Sequence, residues 1–200
     1  MDIQPAGEDA KRVRVLERAV EIFLAYGFQR TTMDDIARAA EMSRPALYLL
    51  FRNKTDIYRA ITGAMLDRTA VMAEEALARP GAIGERIEIM LEECLFAMMA
   101  RFASSPHGAE IIDMKGSLAG DLVGAWRARL GALIETAIGQ EAARAGVDLG
   151  AQGLSPRLLA TVLLDGVEGM KTRLAPPDEM RVGTRAIIRL IELALAPRDI

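Results

Sequence analysis

Apolar residues recur at helical spacing along almost the whole chain, and glycine, proline or a helix-capping residue separates one stretch from the next. Residues three and four positions apart lie on one face of an α-helix, so each stretch predicts an amphipathic helix. The first helix ends at Gly27, where a C-terminal cap would place Phe28 against Phe23. Its predicted apolar stripe comprises Val13, Leu16, Val20, Phe23 and Leu24.

The segment from Thr31 to Lys54 predicts two short helices joined by a tight turn. Thr32 and Asp35 have the spacing of a capping box, and Ser43 can cap the second helix. Pro45 fits the first turn of that helix, where its missing N–H has no partner to lose. Two short helices in this order predict a helix-turn-helix, whose second helix enters a DNA major groove. We expect Leu47, Leu50 and Phe51 to face inward, and Arg44, Ala46, Tyr48 and Leu49 to face outward.

Further helical stretches follow to the end of the chain. A long one begins at Lys54 and stops before Pro80, and a strongly amphipathic one covers residues 83–102. A short segment precedes Gly116, and a long helix is predicted from Ser117 to Arg144. Ser155 and Pro156 start another helix, and the last one begins at Asp178 or Glu179 after two prolines. We therefore expect an all-α protein.

Composition supports the helical interpretation but leaves the function open. Hydrophobic residues make up 51% of the 200 residues and aromatic residues only 4%, which suits packed helices of one or two domains. The net charge is −3, whereas nucleic-acid binding usually requires a basic surface. Residues 1–54 carry 9 Lys and Arg against 8 Asp and Glu, or +1, and residues 55–200 carry 16 against 20, or −4. Charge alone therefore decides little.

Catalytic, metal and cofactor sites are not predicted. His107 is the only histidine and Cys94 the only cysteine, so one chain cannot assemble a two-histidine metal site. His107 lies in a Pro-His-Gly turn; a turn residue is the simpler interpretation, and contact with a ligand or a partner subunit is the alternative. Cys94 lies on an apolar stripe, which favours a buried, inert thiol over a redox sensor. We expect a protein that is not an enzyme.

The chain is expected to be cytoplasmic. Its first ten residues have neither the basic nor the apolar region of a signal peptide. No segment approaches the roughly 18 charge-free apolar residues of a membrane helix. A single cysteine permits no intrachain disulfide, which fits a reducing compartment.

The caps, the apolar positions and the closing Leu-Tyr-x-x-Phe-x-Asn-Lys pattern resemble the DNA-binding domain of the TetR family of transcriptional regulators. The pattern is Leu47, Tyr48, Phe51, Asn53 and Lys54 in this chain, and the resemblance covers about the first third. It implies an N-terminal helix-turn-helix domain in residues 1–54. It also implies a C-terminal helical domain in residues 55–200 that binds an effector and forms a homodimer.

The same resemblance implies contacts with double-stranded operator DNA. Thr31 and Thr32, Tyr48 and Lys54 would contact the backbone, and the start of the second helix would read bases through an Arg44–guanine pair. The implied contacts are Thr31, Thr32, Ser43, Arg44, Pro45, Ala46, Tyr48, Leu49 and Lys54. For the basic cluster Lys11, Arg12 and Arg14, a solvated helix face and phosphate contacts are equally weighted alternatives.

This chain departs from the family where Leu49 and Leu50 replace a pair that is commonly polar or aromatic. The loss of those donors leaves Arg44 and apolar contacts to carry more of the base reading. It also motivates an alternative function, in which a helical ligand-binding protein has lost specific DNA binding.

The family resemblance implies an effector pocket among the middle helices, where methionine is frequent. Core packing is the simpler interpretation of these methionines, but methionine also adapts to varied apolar ligands. The candidate pocket residues are Met65, Met72, Met90, Cys94, Met98, Phe102, Met114 and Trp126. The last two helices are expected to pair with a second copy through Leu159, Leu163, Gly166, Val167, Ile187, Ile191 and Leu195. We expect a repressor that a small, largely apolar molecule releases from DNA.

Overall fold

The structure, a computed structural model, describes residues 7–173 and 176–197. The loose arm predicted for residues 1–8 lies largely outside this range. Regular structure within the described residues is helical, as the sequence predicts. The α-helices are α1 (Gly7–Tyr26), α2 (Met33–Ala39), α3 (Arg44–Leu50), α4 (Lys54–Leu77), α5 (Ile83–Leu91), α6 (Ala97–Ala103), α7 (Gly108–Ala145), α8 (Pro156–Thr172) and α9 (Pro177–Ala194). A short 3₁₀ turn, Gly150–Gln152, precedes α8.

Side-chain caps begin three of these helices as the sequence predicts. The Thr32 hydroxyl accepts the N–H of Asp35, Ser43 accepts that of Ala46, and Ser155 accepts that of Leu158. Helix α1 ends at Gly27, whose φ of +85° is a conformation that glycine adopts without strain. The Phe23 and Phe28 ring centroids then lie 5.2 Å apart, which confirms the predicted contact at this helix end.

Two irregularities interrupt helices that the sequence predicts as regular. Residues Glu92–Phe96 form a π-helical turn between α5 and α6, where the sequence predicts one continuous α-helix. Helix α7 contains one non-helical residue, Ala119, with φ −144° and ψ 27°. The short segment before Gly116 and the long helix after it are therefore joined through a kink rather than a loop.

The chain folds into two compact units. The first comprises the described residues up to Asp67 together with Met98–Gly124, and the second comprises Arg68–Ala97 with the described residues from Ala125 onward. The first unit thus contains α1–α3, part of α4, α6 and the first part of α7. We call the first unit the head and the second unit the body.

The head has one apolar core, to which α1, α2, α3, α4 and the start of α7 all contribute. On α1 the buried side chains are Val15, Ala19 and Phe23. Val13 was predicted on the buried stripe, and that prediction is wrong because its side chain is 54% exposed. The core positions outside α1 include Phe28, Ile36, Leu47, Phe51, Ile57 and Tyr58.

Within the body, a buried ion pair joins separate helices. Arg86 on α5 donates to Glu141 on α7 at 3.1 Å and to the Leu77 carbonyl at 2.9 Å. Both charged side chains are nearly buried, with exposures of 13% and 12%. The pair links α5 to α7, and Glu141 also pairs with Arg144 on its own helix.

Helices α8 and α9 pack on each other, and α9 also packs on α5. The body core includes Ile87, Met90, Ile134, Ile138, Leu163, Met180 and Ile191. In the described part of the chain, no helix is long and apolar enough to cross a membrane.

Thr184 on α9 is 3% exposed, and its hydroxyl has no hydrogen-bond partner among the described residues. Burying an unpaired hydroxyl costs about 1–3 kcal/mol. We therefore expect Thr184→Val, which keeps the shape and removes the hydroxyl, to raise the free energy of unfolding by about 1 kcal/mol. Denaturant-induced unfolding at fixed protein concentration measures the change.

Thr69→Val is the matched control, because the same substitution there removes a hydroxyl that accepts the Trp126 Nε1–H at 2.9 Å. We expect it to lower the free energy of unfolding by about 1 kcal/mol. A change of the same sign in both variants would contradict the assignment of Thr184 as unpaired.

Candidate nucleic-acid interface and the other predicted sites

The turn between α2 and α3 redirects the chain within four residues. Glu41 adopts φ 54°, a left-handed conformation that non-glycine residues rarely adopt. The N–H of Met42 donates to the Ala37 carbonyl at 3.0 Å, and the N–H of Glu41 donates to the Arg38 carbonyl at 3.1 Å. These bonds end α2 and allow Ser43 to start α3 directly.

Helix α3 has one buried and one exposed side, as the sequence predicts. Leu47 is fully buried and Phe51, just after the helix, is 2% exposed, so the helix is held against the head core. On the other side, Tyr48 is 43% exposed and Leu49 is 86% exposed. Ser43, Arg44 and Pro45 are also open to solvent at least in part, as is Ala46. The predicted reading surface is therefore present and accessible.

Arg44 is oriented by its neighbours but not buried. Its Nη1 lies 4.0 Å from Asp34 Oδ1 on α2, and its guanidinium carbon lies 5.6 Å from the centre of the Tyr48 ring. These groups raise the pKa of Arg44, with the Tyr48 hydroxyl as the main cause and Asp34 a lesser one. Both charged side chains are more than half exposed, so this ion pair is weak and Arg44 can exchange it for a base.

Asp34 is a member of this site that the sequence did not suggest. It lies across the turn from Arg44, at a separation that follows no helical period, so only the folded turn brings the two together. Its neighbour Asp35 serves the capping box, because Thr32 donates to it through both its backbone N–H and its hydroxyl. Those hydrogen bonds, with a contribution from Arg38, lower the pKa of Asp35.

Arg12 joins α1 to the end of α3. Its Nη1 donates to the Leu50 carbonyl at 3.0 Å, and its guanidinium carbon lies 4.3 Å from the centre of the Phe51 ring. Of the three basic residues proposed as phosphate contacts, Arg12 therefore has a structural role. Lys11 and Arg14 are exposed on α1, and both alternatives remain for them.

Lys54, for which a phosphate contact stays a prediction, binds backbone carbonyls of the head. Its ammonium group donates to the carbonyls of Phe28, Gln29 and Thr31 at 2.8, 3.0 and 3.1 Å. It also lies 4.6 Å from the centre of the Phe28 ring. A lysine ammonium has three N–H donors, and all three are used by the loop between α1 and α2. Lys54 therefore stabilises that loop.

Thr31, also predicted to contact the DNA backbone, has its hydrogen-bond partner within the head. Its side chain is 3% exposed, and its hydroxyl donates to the Gly27 carbonyl at 2.7 Å. This buried hydroxyl cannot reach a DNA backbone in this conformation. Thr32 is exposed, but its hydroxyl donates to Asp35, so the backbone contacts of both threonines stay predictions.

We expect Lys54→Met to lower the free energy of unfolding of the head by about 2–4 kcal/mol, because it removes three hydrogen bonds from a charged donor. Lys11→Met removes the same charge from an exposed position and should leave stability unchanged. Thermal and denaturant unfolding of the two variants measure the difference. Equal stability of the two variants would show that the three carbonyl bonds contribute nothing.

The salt dependence of DNA binding separates this role from a phosphate contact. If Lys54 neutralised one phosphate in each subunit of a dimer, its removal would reduce the log–log slope by about 1.8, at roughly 0.9 per phosphate. We expect folded Lys54→Met to keep the wild-type slope.

His107 and Glu110 hold the same loop from the other side, at the turn into α7. His107 Nδ1 lies 3.3 Å from a carboxylate oxygen of Glu110, and the other oxygen accepts the N–H of Gln29 at 3.3 Å. An added Cβ at Gly27 would lie 2.7 Å from Glu110 and 3.1 Å from His107. His107 also lines an open groove of about 560 Å³ with Tyr26, Arg30 and Arg38. The histidine is thus more than a bare turn residue.

The predicted effector-pocket residues are divided between the two units. Met65, Met98, Phe102 and Met114 belong to the head, and Met72, Met90, Cys94 and Trp126 belong to the body. Phe102 and Met114 are partly buried and pack against the head core, which favours the core interpretation for these two residues. Met90 is fully buried.

The structure does join Cys94 and Trp126 through a third residue. Cys94 Sγ donates to the Thr69 carbonyl at 3.2 Å, and Trp126 Nε1 donates to the Thr69 hydroxyl at 2.9 Å. Burial raises the pKa of the Cys94 thiol to about 11. Because the thiolate is the reactive form, Cys94 is an inert, hydrogen-bonded thiol rather than a redox sensor.

Five of the seven predicted dimer-interface residues are buried within their own chain. Leu163 is fully buried, and Leu159, Val167, Ile191 and Leu195 are at most 8% exposed. These side chains pack inside the subunit, because α8 and α9 bury their most apolar sides first. Gly166 and Ile187 are partly exposed, but the Ile187 side chain packs over Gly166. Apolar residues exposed on these helices are instead Leu158, Val162, Val182, Leu190 and Leu193.

Comparison with known proteins agrees with this fold and site. Residues 15–61 match the family model of bacterial regulatory proteins, tetR family. An uncharacterised HTH-type transcriptional regulator of Bacillus subtilis (strain 168), YezE, is 29% identical over 84 residues, which are 42% of this chain and 43% of that protein. The HTH-type transcriptional repressor ComR of Escherichia coli (strain K12) is 32% identical over 66 residues, 33% of this chain and 31% of that protein.

A solved structure extends the likeness to the whole fold. The transcriptional regulator of the TetR/AcrR family from Thermobifida fusca YX-ER1 matches with a TM-score of 0.67 at 21% identity, over 91% of this chain and 96% of that one. The sequence matches span less than half the length of the two curated relatives. The structural match covers 91% of this chain and so includes most of the body.

The fold and the exposed side of α3 define a helix-turn-helix protein. Its head matches the family model from Val15 to Ile61, and its whole chain has the fold of a TetR/AcrR regulator. The N-terminal segment is therefore similar to the tetR family of bacterial regulatory proteins, and the fold is similar to that of a TetR/AcrR regulator.

Proposed function

We propose that this protein is a homodimeric DNA-binding transcriptional regulator, and specifically a repressor. The observation that carries the proposal is the exposed side of α3, which presents Arg44, Tyr48 and Leu49 while Leu47 and Phe51 fix the helix to the head core. A helix held in this way enters the major groove as a rigid unit. ComR, which is similar to 33% of this chain, is named as a repressor.

The head supplies few free charges for non-specific binding. Residues 1–54 have a net charge of +1, and Lys54 and Arg12 are used inside the head. Backbone contact therefore falls to the accessible hydroxyls of Ser43 and Tyr48 and to exposed basic residues such as Arg14. Binding that depends little on bulk charge requires base contacts for most of its affinity, which favours a sequence-specific reader.

The first experiment selects duplexes from a random pool with the full-length protein and titrates salt against the selected duplex. We expect specific binding at physiological salt, with a log–log slope of roughly −0.9 per neutralised phosphate. In vitro transcription from a promoter carrying that duplex should fall when the protein is added. If the protein shows no preference over random duplex at any salt, a ligand-binding protein without specific DNA binding becomes the better description.

Arg44→Ala tests the base-reading role of Arg44. One bidentate arginine–guanine contact provides about 1–3 kcal/mol of discrimination, so we expect a relaxed base preference at one position of each half-site. Arg68→Ala removes an exposed arginine outside the head and should leave the preference intact. If Arg44→Ala weakens binding to all sequences alike, Arg44 contacts the backbone and not a base.

The homodimer in this proposal rests on an exposed apolar stripe of α9. Val182, Ala186, Leu190 and Leu193 follow one another at intervals of three or four residues, so they share one side of the helix. Val182, Leu190 and Leu193 are 65%, 64% and 55% exposed in the single chain. A second copy that covers this stripe, together with Leu158 and Val162 of α8, gives two-fold symmetry and thereby two reading helices for two half-sites.

We expect Leu190→Glu to convert the dimer into a monomer, because it places a charge at the centre of this apolar stripe. The folded helix should survive, since Leu190 is 64% exposed in the single chain. Val71→Glu is the matched control at an apolar residue of α4 that is 47% exposed and outside the stripe. Sedimentation equilibrium measures both variants. A dimer that persists in Leu190→Glu would place the interface elsewhere.

The body is proposed to bind the effector, a small and largely apolar molecule. Met72, Met90, Cys94 and Trp126 all belong to it, and the π-helical turn Glu92–Phe96 contains one of them. Such turns occur frequently at functional sites. Trp126 provides the test, because a ligand next to it should change its fluorescence and, at saturation, release the selected duplex. Release without a change in Trp126 fluorescence would place the effector elsewhere.

A further inference from the structure

Leu49 is the most exposed large apolar residue of the described chain. Its side chain is 86% exposed, although burying a leucine side chain is favourable. Single exposed leucines are ordinary on protein surfaces, so exposure alone assigns no role. The position of Leu49 does, since it stands on the one side of α3 that faces away from the head core.

The neighbours of Leu49 restrict what this surface can bind. Leu47 is buried on the opposite side of α3, and Tyr48 is half as exposed as Leu49. Arg44, at the start of the same helix, lies close to Asp34 and Tyr48, so its charge is already oriented. Leu49 is thus an apolar group next to a polar one, on a helix that inserts into a groove.

The edges of the major groove offer a single apolar group, the 5-methyl group of thymine. Leucine has no hydrogen-bond donor or acceptor, so it gains contact from that methyl group. Against guanine it covers the O6 and N7 acceptors without pairing them, and an unpaired polar group is costly to desolvate. The same side chain therefore favours thymine and disfavours guanine.

We propose that Leu49 reads the 5-methyl group of a thymine in each half-site, and that 5-methylcytosine can replace that thymine. The proposal rests on the proposed function, because it requires α3 to lie in a major groove. It goes further by naming the base and the atom that the chain recognises. It also makes cytosine-5 methylation of DNA a modification that this protein can detect.

The experiment uses the selected duplex and the full-length protein. Each thymine of a half-site is replaced in turn by deoxyuridine, which lacks only the 5-methyl group, with the symmetric change in the other half-site. One position should weaken binding about fourfold per half-site and about fifteenfold for both, as expected for about 0.8 kcal/mol per buried methyl group and 1.4 kcal/mol per tenfold change.

Leu49→Ala identifies the residue responsible. In this variant the thymine and deoxyuridine duplexes should bind equally well, whereas Leu49→Met, which keeps a long apolar side chain, should retain the difference. At the sensitive position, a cytosine–guanine pair should bind more weakly than thymine–adenine, and 5-methylcytosine should recover about fourfold of the loss. Because Leu49 is exposed, neither variant should change the unfolding midpoint.

The outcomes separate this inference from the proposed function. If no duplex is preferred over random DNA, the proposed function fails and this inference fails with it. If a duplex is selected and bound but no thymine is sensitive to loss of its methyl group, the regulator stands and Leu49 is not its reader. A methyl-sensitive position that survives in Leu49→Ala also overturns the inference.

Discussion

The head depends on one cation. The ammonium group of Lys54 binds three carbonyls of the α1–α2 loop. These carbonyls lie outside the helices and accept no hydrogen bond of a helix. Because Lys54 is also the first residue of α4, this single side chain ties the start of α4 to the loop that precedes the helix-turn-helix. Glu110 holds the same loop through the N–H of Gln29. The orientation of α2, and with it that of α3, therefore follows from how this loop is held.

A second consequence concerns charge. Lys54 donates its N–H groups to carbonyls of the α1–α2 loop. Arg12 donates to the Leu50 carbonyl and lies over the Phe51 ring. Residues 1–54, whose net charge is only +1, therefore have fewer available cations than the sequence suggests. A DNA-binding protein with little overall electrostatic attraction for DNA gains its affinity from specific contacts. That requirement makes the exposed side of α3 more important than the rest of the head surface.

Local rules predicted the parts of the fold that depend on neighbouring residues. The capping box of Thr32 and Asp35, the Ser43 and Ser155 caps and the inward positions of Leu47 and Phe51 follow from spacing alone. Contacts between residues that are distant in the sequence were not predicted. A lysine at a helix start favours a phosphate by local reasoning, and only the folded loop shows that three carbonyls reach it first.

Burial shows the same limit. An apolar stripe on α9 cannot by itself reveal whether its partner is α8 of the same chain or a second copy. The side that holds Ile191 packs inside, and the side that holds Leu190 stays exposed. The candidate pocket residues are mostly apolar, but they are divided between the two units, with half in each.

Glu41, at the turn of the helix-turn-helix, has an evolutionary consequence. Its left-handed backbone costs about 1 kcal/mol relative to glycine. Every glutamate codon is a single base change from a glycine codon, so the more comfortable residue is within immediate mutational reach. Glycine at this position is therefore expected to make the turn more stable. A substitution at position 41 can therefore change the stability of the turn, and with it how firmly α3 is held.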